Sequence, residues 1–251
     1  MSTFAFVSDL HLFASRSSAS THFEELIHAS RQSDDCVLGG DIFDFRWSRY
    51  RTAEETADAA IEWLLDFLNS TENCRIHFIL GNHDDHPLLH ARLPQLTRDY
   101  SRFDWARFYY RLGDTLFLHG DVADRNMTAT CLERQRNRFQ HGTRSPFQHR
   151  LYDMAVRTNL HLLPPTAAYP KRKVARRILS YMNQIGQGPE SGIRHVCFGH
   201  THRPVDNYHL GNVIFHNCGA PIGKGKFRIV RRDVELLENP ESMHQNPHDV
   251  E

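Results

Sequence analysis

The strongest constraint on this chain's fold is an alternation repeated through its first third. Residues 3–7 (T-F-A-F-V), 36–38 (C-V-L) and 76–80 (I-H-F-I-L) are short apolar runs of the kind that form buried strands. Two helical patterns lie between them. Thr21 with Glu24, and Thr52 with Glu55, have capping-box spacing. Phe23, Leu26 and Ile27 share one face of the first predicted helix. Ala57, Ala60, Ile61, Leu64, Leu65 and Leu68 share one face of the second. Strand, helix, strand, helix, strand predicts βαβ units and a parallel core sheet.

The pattern then changes. Residues 108–112 and 115–118 flank Gly113-Asp114, a hairpin signal. Residues 195–198 and 213–216 read as further strands. Residues 227–230 and 234–237 predict a closing hairpin around Arg232-Asp233. Parallel units followed by antiparallel strands predict a mixed α/β fold, with two packed sheets and helices outside. Residues 1–124 and 188–238 are expected to form the core. Residues 125–187 form a basic, helical insertion or cap, in which Arg134, Arg136, Arg138, Arg144, Arg150, Arg157, Lys171, Arg172, Lys173, Arg176 and Arg177 face few acids. Residues 239–251 are polar, contain Pro240 and Pro247, and are expected to be a disordered tail.

Bulk properties exclude several classes. The 251 residues carry a formal net charge of zero, so no global field draws the chain to nucleic acid or membrane. The start, M-S-T-F-A-F-V-S-D, lacks a basic segment and meets Asp9 too soon for a signal peptide. No apolar run is as long as a membrane span. Five scattered cysteines without C-x-x-C are expected to be reduced thiols of a cytoplasmic protein. The basic insertion is the element that would reach the inner-membrane surface.

Each predicted core strand closes on a polar cluster, with glycine beside it at four of the five strand ends. S-D-L-H-L supplies Asp9 and His11, and G-G-D-I-F-D supplies Asp41 and Asp44. G-N-H-D supplies Asn82, His83 and Asp84, L-H-G-D supplies His119 and Asp121, and G-H-T-H supplies His200 and His202. In an extended segment, residues two apart project to the same side, and strand ends form the natural crevice of an α/β sheet. Carboxylate, imidazole and amide donors without thiolate suit Mn²⁺ first, with Fe or Zn²⁺ as alternatives, rather than Ca²⁺ or a cysteine-rich zinc site. There are more donors than one ion needs, and two ions sharing a carboxylate would use them all.

These five motifs, in this order, resemble the calcineurin-like metallophosphoesterases across roughly Phe4 to Val230, apart from the insertion. The resemblance implies a four-layer α/β/β/α sandwich and two divalent metal ions. Matched residue by residue, Asp9, His11 and His202 would hold one ion, and Asn82, His119 and His200 the other, with Asp41 bridging. His83 matches the catalytic histidine, with Asp84 beside it. Asp44 and Asp121 read as braces that orient ligands or loops. Motif spacing and the basic stretch between H-G-D and G-H-T-H are similar to the UDP-2,3-diacylglucosamine pyrophosphatases of lipid A synthesis. Those enzymes have G-N-R-D where this chain has the general form G-N-H-D.

The implied reaction is in-line attack of a metal-bridging hydroxide on a phosphate ester or pyrophosphate, with His83 donating a proton to the leaving group. The expected substrate is a phosphorylated small molecule or a lipid-linked nucleotide. Alternatives are a nucleotide or cyclic-nucleotide phosphodiesterase, a phosphoprotein phosphatase, and a non-catalytic interaction module. Specific nucleic-acid binding is not expected. Arg46 and Trp47, just past Asp44, and Arg203, just past His202, are candidate substrate contacts. The insertion has three readings: a solvated surface, contact with anionic lipid head groups, and, favoured, a cap whose arginines hold an anionic substrate. Phe139, Phe147, Leu151, Tyr152, Leu160, Leu162 and Leu163 would then pack the cap or bury acyl chains.

Overall fold

A computed structural model describes residues 2–139 and 169–235. Three parallel strands, β1 (Ser2–Val7), β2 (Asp35–Gly39) and β3 (Arg75–Ile79), are joined by helices α1 (Phe23–Arg31) and α2 (Ala53–Ser70). The second helix starts as its sequence predicts. The Thr52 hydroxyl accepts from the Glu55 N–H at 3.1 Å, and the Glu55 carboxylate reaches back to the Arg51 N–H at 2.9 Å. The first starts two residues later than predicted. Thr21 donates its hydroxyl to the Ser18 carbonyl and lies in a short 3₁₀ turn, Ala19–His22, so it caps nothing.

After β3 come two short helices, α3 (Pro87–His90) and α4 (Leu93–Asp99), and a strand the sequence did not announce, β4 (Phe103–Ala106), parallel to β3. The predicted hairpin follows as β5 (Tyr109–Leu112) and β6 (Thr115–Leu118). Next are α5 (Ala129–Phe139), α6 (Lys171–Gln184), β7 (His195–Phe198), β8 (Val205–Leu210), β9 (Val213–Asn217) and β10 (Val230–Val234). The first sheet has the order β10-β1-β2-β3-β4 and the second β5-β6-β7-β9-β8.

The closing hairpin is corrected. Residues 230–234 are one strand, antiparallel to β1, with Phe4 opposite Arg232 and Thr3 opposite Asp233. Arg231 and Asp233 point to solvent while Val230 and Val234 are buried. The polar pair read as a turn lies instead along an edge strand.

Side-chain alternation builds four layers. Ala5, Val7, Cys36 and Leu38 pack against Leu26 and Ile27 of α1 and Ala60, Leu64 and Leu68 of α2. The intervening Phe4, Phe6 and Val37 meet Tyr110, Phe117 and Cys197 of the second sheet. Leu116, Leu118, Val196, Phe198 and Phe215 then pack against Val174, Ala175, Ile178, Tyr181 and Met182 of α6. The order is helix, sheet, sheet, helix. Helix α6 lies inside the stretch assigned to an insertion, yet it is the outer layer of the second sheet. Phe147, Leu151, Tyr152, Leu160, Leu162, Leu163 and the tail lie outside the described residues.

Candidate dinuclear metal centre at the strand ends

The ends of β1, β2, β3, β6 and β7 converge. The Asp9 N–H bonds the Gly40 carbonyl at 3.0 Å, the His11 N–H the Asp41 carbonyl at 2.9 Å, and the Gly199 N–H the His119 carbonyl at 2.7 Å. Asp9 takes the His200 N–H on both carboxylate oxygens, at 2.8 and 2.9 Å. Two glycines allow the approach. A Cβ on Gly81 would collide with Asp41, and one on Gly199 with the Asp9 carboxylate and Ser8.

Three overlapping groups of donors lie within 4.8 Å of one another: Asp9, His11 and His202; His11, Asp41 and His83; and Asp41, His119 and His200. His11 Nε2 is 3.1 Å from His202 Nε2 and 3.8 Å from Asp41 Oδ2. His202 Nε2 is 3.4 Å from Asp9 Oδ1. On the other side, His119 Nε2 is 3.3 Å from Asp41 Oδ2 and 3.1 Å from Asn82 Oδ1, and His200 Nδ1 is 3.1 Å from the same amide oxygen. The Asp41 carboxylate therefore stands between the two groups.

Partners on the far ring nitrogens assign the tautomers. His11 Nδ1 meets Asp44 Oδ2 at 3.1 Å, and His119 Nδ1 meets the Gly39 carbonyl at 3.3 Å. Each then carries its proton outward and turns the Nε2 lone pair inward. The backbone is strained at the same place. Among the described residues, seven non-glycine residues have positive φ, and five of them are Asp9, His11, Asp41, His200 and His202. Such conformations persist where the surroundings over-determine them.

The electrostatics favour cations. Burial opposes ionisation of Asp41, but His119, His83 and His11 outweigh it and hold its carboxyl well below the usual range. Burial alone would lower His119, yet Asp41, Asp9 and Asp121 push it up to about 10. A field that retains a proton on a fully buried imidazole equally favours a divalent cation in its place. Donor set, tautomers and field all fit the implied metals.

His83 lies beside this cluster, 15% exposed at its side chain, with Nδ1 2.9 Å from Asp44 Oδ1. Desolvation would lower the ring, but Asp44 and Asp41 raise it to about 9. Asp84 is corrected. Its carboxylate accepts the Gly81 N–H at 2.5 Å and the Ile42 N–H at 2.8 Å, and it is fully buried. It braces the two loops, and Asp44 is the partner of His83. Burial and the charge of Asp41 push Asp84 up to about 7.

The candidate substrate residues are also placed. The main-chain N–H groups of Arg46 and Trp47 both donate to Asp44 Oδ1, at 3.0 and 2.8 Å, and the Arg16 guanidinium stacks on Trp47 at 4.7 Å. Arg203 donates to the Tyr169 carbonyl at 3.0 Å. Two arginines of the basic stretch are engaged within the protein. Arg136, 1% exposed, makes a two-pronged bond to Asp121 at 2.8 and 3.0 Å, and Arg177 donates to the Ala123 and Asp124 carbonyls. Sequence reasoning missed Asp124, whose Oδ1 is 2.7 Å from His200 Nε2. It follows H-G-D at no recognisable spacing. Asn217, the last residue of β9, holds the Gly199 carbonyl and the Thr201 hydroxyl.

A four-layer sandwich with a buried carboxylate-imidazole cluster at its strand ends defines a metal-dependent hydrolase scaffold. The chain belongs to the calcineurin-like phosphoesterases, whose family model matches residues 2–204, and is a phosphoester hydrolase. Among solved structures it is similar to a dimetal phosphatase from Danio rerio, with 13% identity over 92% of each chain and a TM-score of 0.49. No curated protein sequence matches it. No helix among the described residues is long and apolar enough to cross a membrane.

Proposed function

We propose that the chain hydrolyses a phosphate ester or phosphoanhydride at a dinuclear centre. Asp9, His11 and His202 hold one divalent cation, Asn82, His119 and His200 the other, and Asp41 both. The observation that carries this reading is the left-handed backbone at five of these seven residues. Two divalent cations supply Lewis-acid polarisation of a phosphoryl oxygen and lower the pKa of water near neutral pH, with Mn²⁺ the first candidate for this donor set.

The chain's own residues orient and move protons. Asp44 occupies His83 Nδ1, which leaves Nε2 as the nitrogen that gives a proton to the leaving oxygen. The ring's raised pKa keeps that proton available at neutral pH. Asp44 also fixes His11, so one carboxylate aligns a metal ligand with the proton donor. Asp84 and Asn217 hold the loops that carry the ligands.

A second, narrower reading is hydrolysis of UDP-2,3-diacylglucosamine, supported by motif spacing and the basic stretch between H-G-D and G-H-T-H. It stands second because the chain has His83 in G-N-H-D, and because Arg136 and Arg177 are engaged within the protein. The test is a Mn²⁺-supplemented panel of UDP-2,3-diacylglucosamine, p-nitrophenyl phosphate, bis-p-nitrophenyl phosphate and cyclic AMP. Turnover of a simple ester is expected. Metal-loaded protein that turns over none of the four overturns the proposal, and preference for the lipid reverses the order of the two readings.

A further inference from the structure

We propose that Asp124 and Tyr169 are positioning residues for the second cation pocket: Asp124 fixes which nitrogen of His200 faces the pocket, and Tyr169 holds the Asp124 carboxylate in place. This rests on the dinuclear reading above.

His200 lies between two oxygen acceptors. Its Nε2 is 2.7 Å from Asp124 Oδ1, and its Nδ1 is 3.1 Å from Asn82 Oδ1. A neutral imidazole has one N–H and one lone pair. The carboxylate is the stronger acceptor and the closer one, so the proton resides on Nε2. Nδ1 then presents its lone pair to the space it shares with Asp41 and His119. With the proton on Nδ1, the ring would donate to Asn82 and could not bind a cation.

Asp124 is itself held. Oδ1 also accepts the Tyr169 hydroxyl at 2.5 Å, and Oδ2 accepts from Gln135 Nε2 at 3.0 Å. Its carbonyl takes the Arg177 guanidinium at 2.8 Å. Tyr169 sets its ring edge-on to His200, with centroids 5.9 Å apart. Its carbonyl accepts from Arg203, the residue after His202. Tyr169 also immediately precedes Pro170 and α6. The orientation of a strand-end ligand is thereby tied to the helix that covers the second sheet.

The arrangement repeats one already seen in the first pocket. There Asp44 binds the far nitrogen of His11; here Asp124 binds the far nitrogen of His200. Each pocket has one histidine backed by a carboxylate, the type of support whose loss costs about 10–100-fold in metal affinity. Asp124 and Tyr169 lie in none of the five motifs.

The experiment is calorimetric titration of the full metal-free chain with Mn²⁺, for wild type, Asp124→Asn and Tyr169→Phe. Wild type is expected to bind two ions. Asp124→Asn should bind one with wild-type affinity and the other about 10–100-fold more weakly. Tyr169→Phe should weaken the same ion by less. General loss of structure would not spare the first ion. Long-range ¹⁵N–¹H correlation of metal-free wild type should show the Nε2–H tautomer at His200, a readout that needs no variant to fold. Asp124→Asn protein that binds both ions as wild type does, or an Nδ1–H tautomer at His200, overturns the proposal while leaving the dinuclear centre intact. Wild type that binds fewer than two ions overturns the dinuclear reading, and this proposal with it.

Discussion

Asp44 holds His83: carboxylate Oδ1 and imidazole Nδ1 are 2.9 Å apart, both in the crevice where five strand ends meet. The other oxygen of the same carboxylate is 3.1 Å from His11 Nδ1. A metal ligand and a proton donor thus share one brace. His83→Ala is expected to lower kcat about 10²–10⁴-fold, the usual worth of a positioned acid, with two Mn²⁺ still bound. Loss of both ions on metal analysis would make His83 a ligand instead. Asp44→Asn should lower kcat in the same direction by less.

The pH profile follows from the same pair. Asp44 and Asp41 outweigh desolvation and hold His83 protonated up to about pH 9. Nearby divalent cations oppose that protonation, so the alkaline limb of kcat should fall at or below about pH 9. His83→Ala should abolish the limb. An unchanged limb in the variant assigns it to another group.

Gly199→Ala should cost one metal. Its Cβ would occupy the space of the Asp9 carboxylate and Ser8, displacing a ligand of the first pocket. Mn²⁺ bound per chain should fall from two to one. Retention of both would mean that Asp9 relaxes without cost.

Two arginines on α5 should behave differently. Arg136 and Asp121 are each 1% exposed and doubly bonded. Arg136→Leu strands a buried carboxylate, at a cost of about 3–5 kcal/mol. Exposed Arg138 on the same helix should change stability by less than about 0.5 kcal/mol when replaced by alanine. Urea unfolding distinguishes the two, and equal effects would contradict the assignment of Arg136 to structure.

His216 gives stability an acid dependence. Burial, then Arg232 and His195, push its pKa from 6.5 down to about 3. Between those values the unfolded chain binds a proton that the folded chain does not. This contribution is fully present above pH 6.5 and is lost as pH falls towards 3. His216→Gln should flatten the fall of the urea midpoint across that window. An unchanged slope would show that carboxylates alone account for it.

The strand-end donors were legible because each combines an apolar run and a polar cluster, four of the five with a glycine, which local sequence displays together. What escaped depends on partners far away in the chain. β4 is four residues long, and β8 is an edge strand that alternates exposed Asp206, Asn207 and His209 with partly covered residues. Neither carries a hydrophobic run. Arg232-Asp233 reads as a turn because polarity marks solvent, but the pair continues an edge strand whose Arg231 and Asp233 face solvent. Asp84 adjoins His83 in sequence, but its carboxylate points at two backbone N–H groups. Arg136 reads as a surface cation until Asp121 is seen beneath it.

Both pockets depend on the Asp41 carboxylate. The decisive measurement is Mn²⁺ bound per chain in wild type and Asp41→Ala, by elemental analysis of protein freed of loose metal. Wild type is expected to hold two ions and the variant none. Two ions in Asp41→Ala would contradict the shared role of this carboxylate.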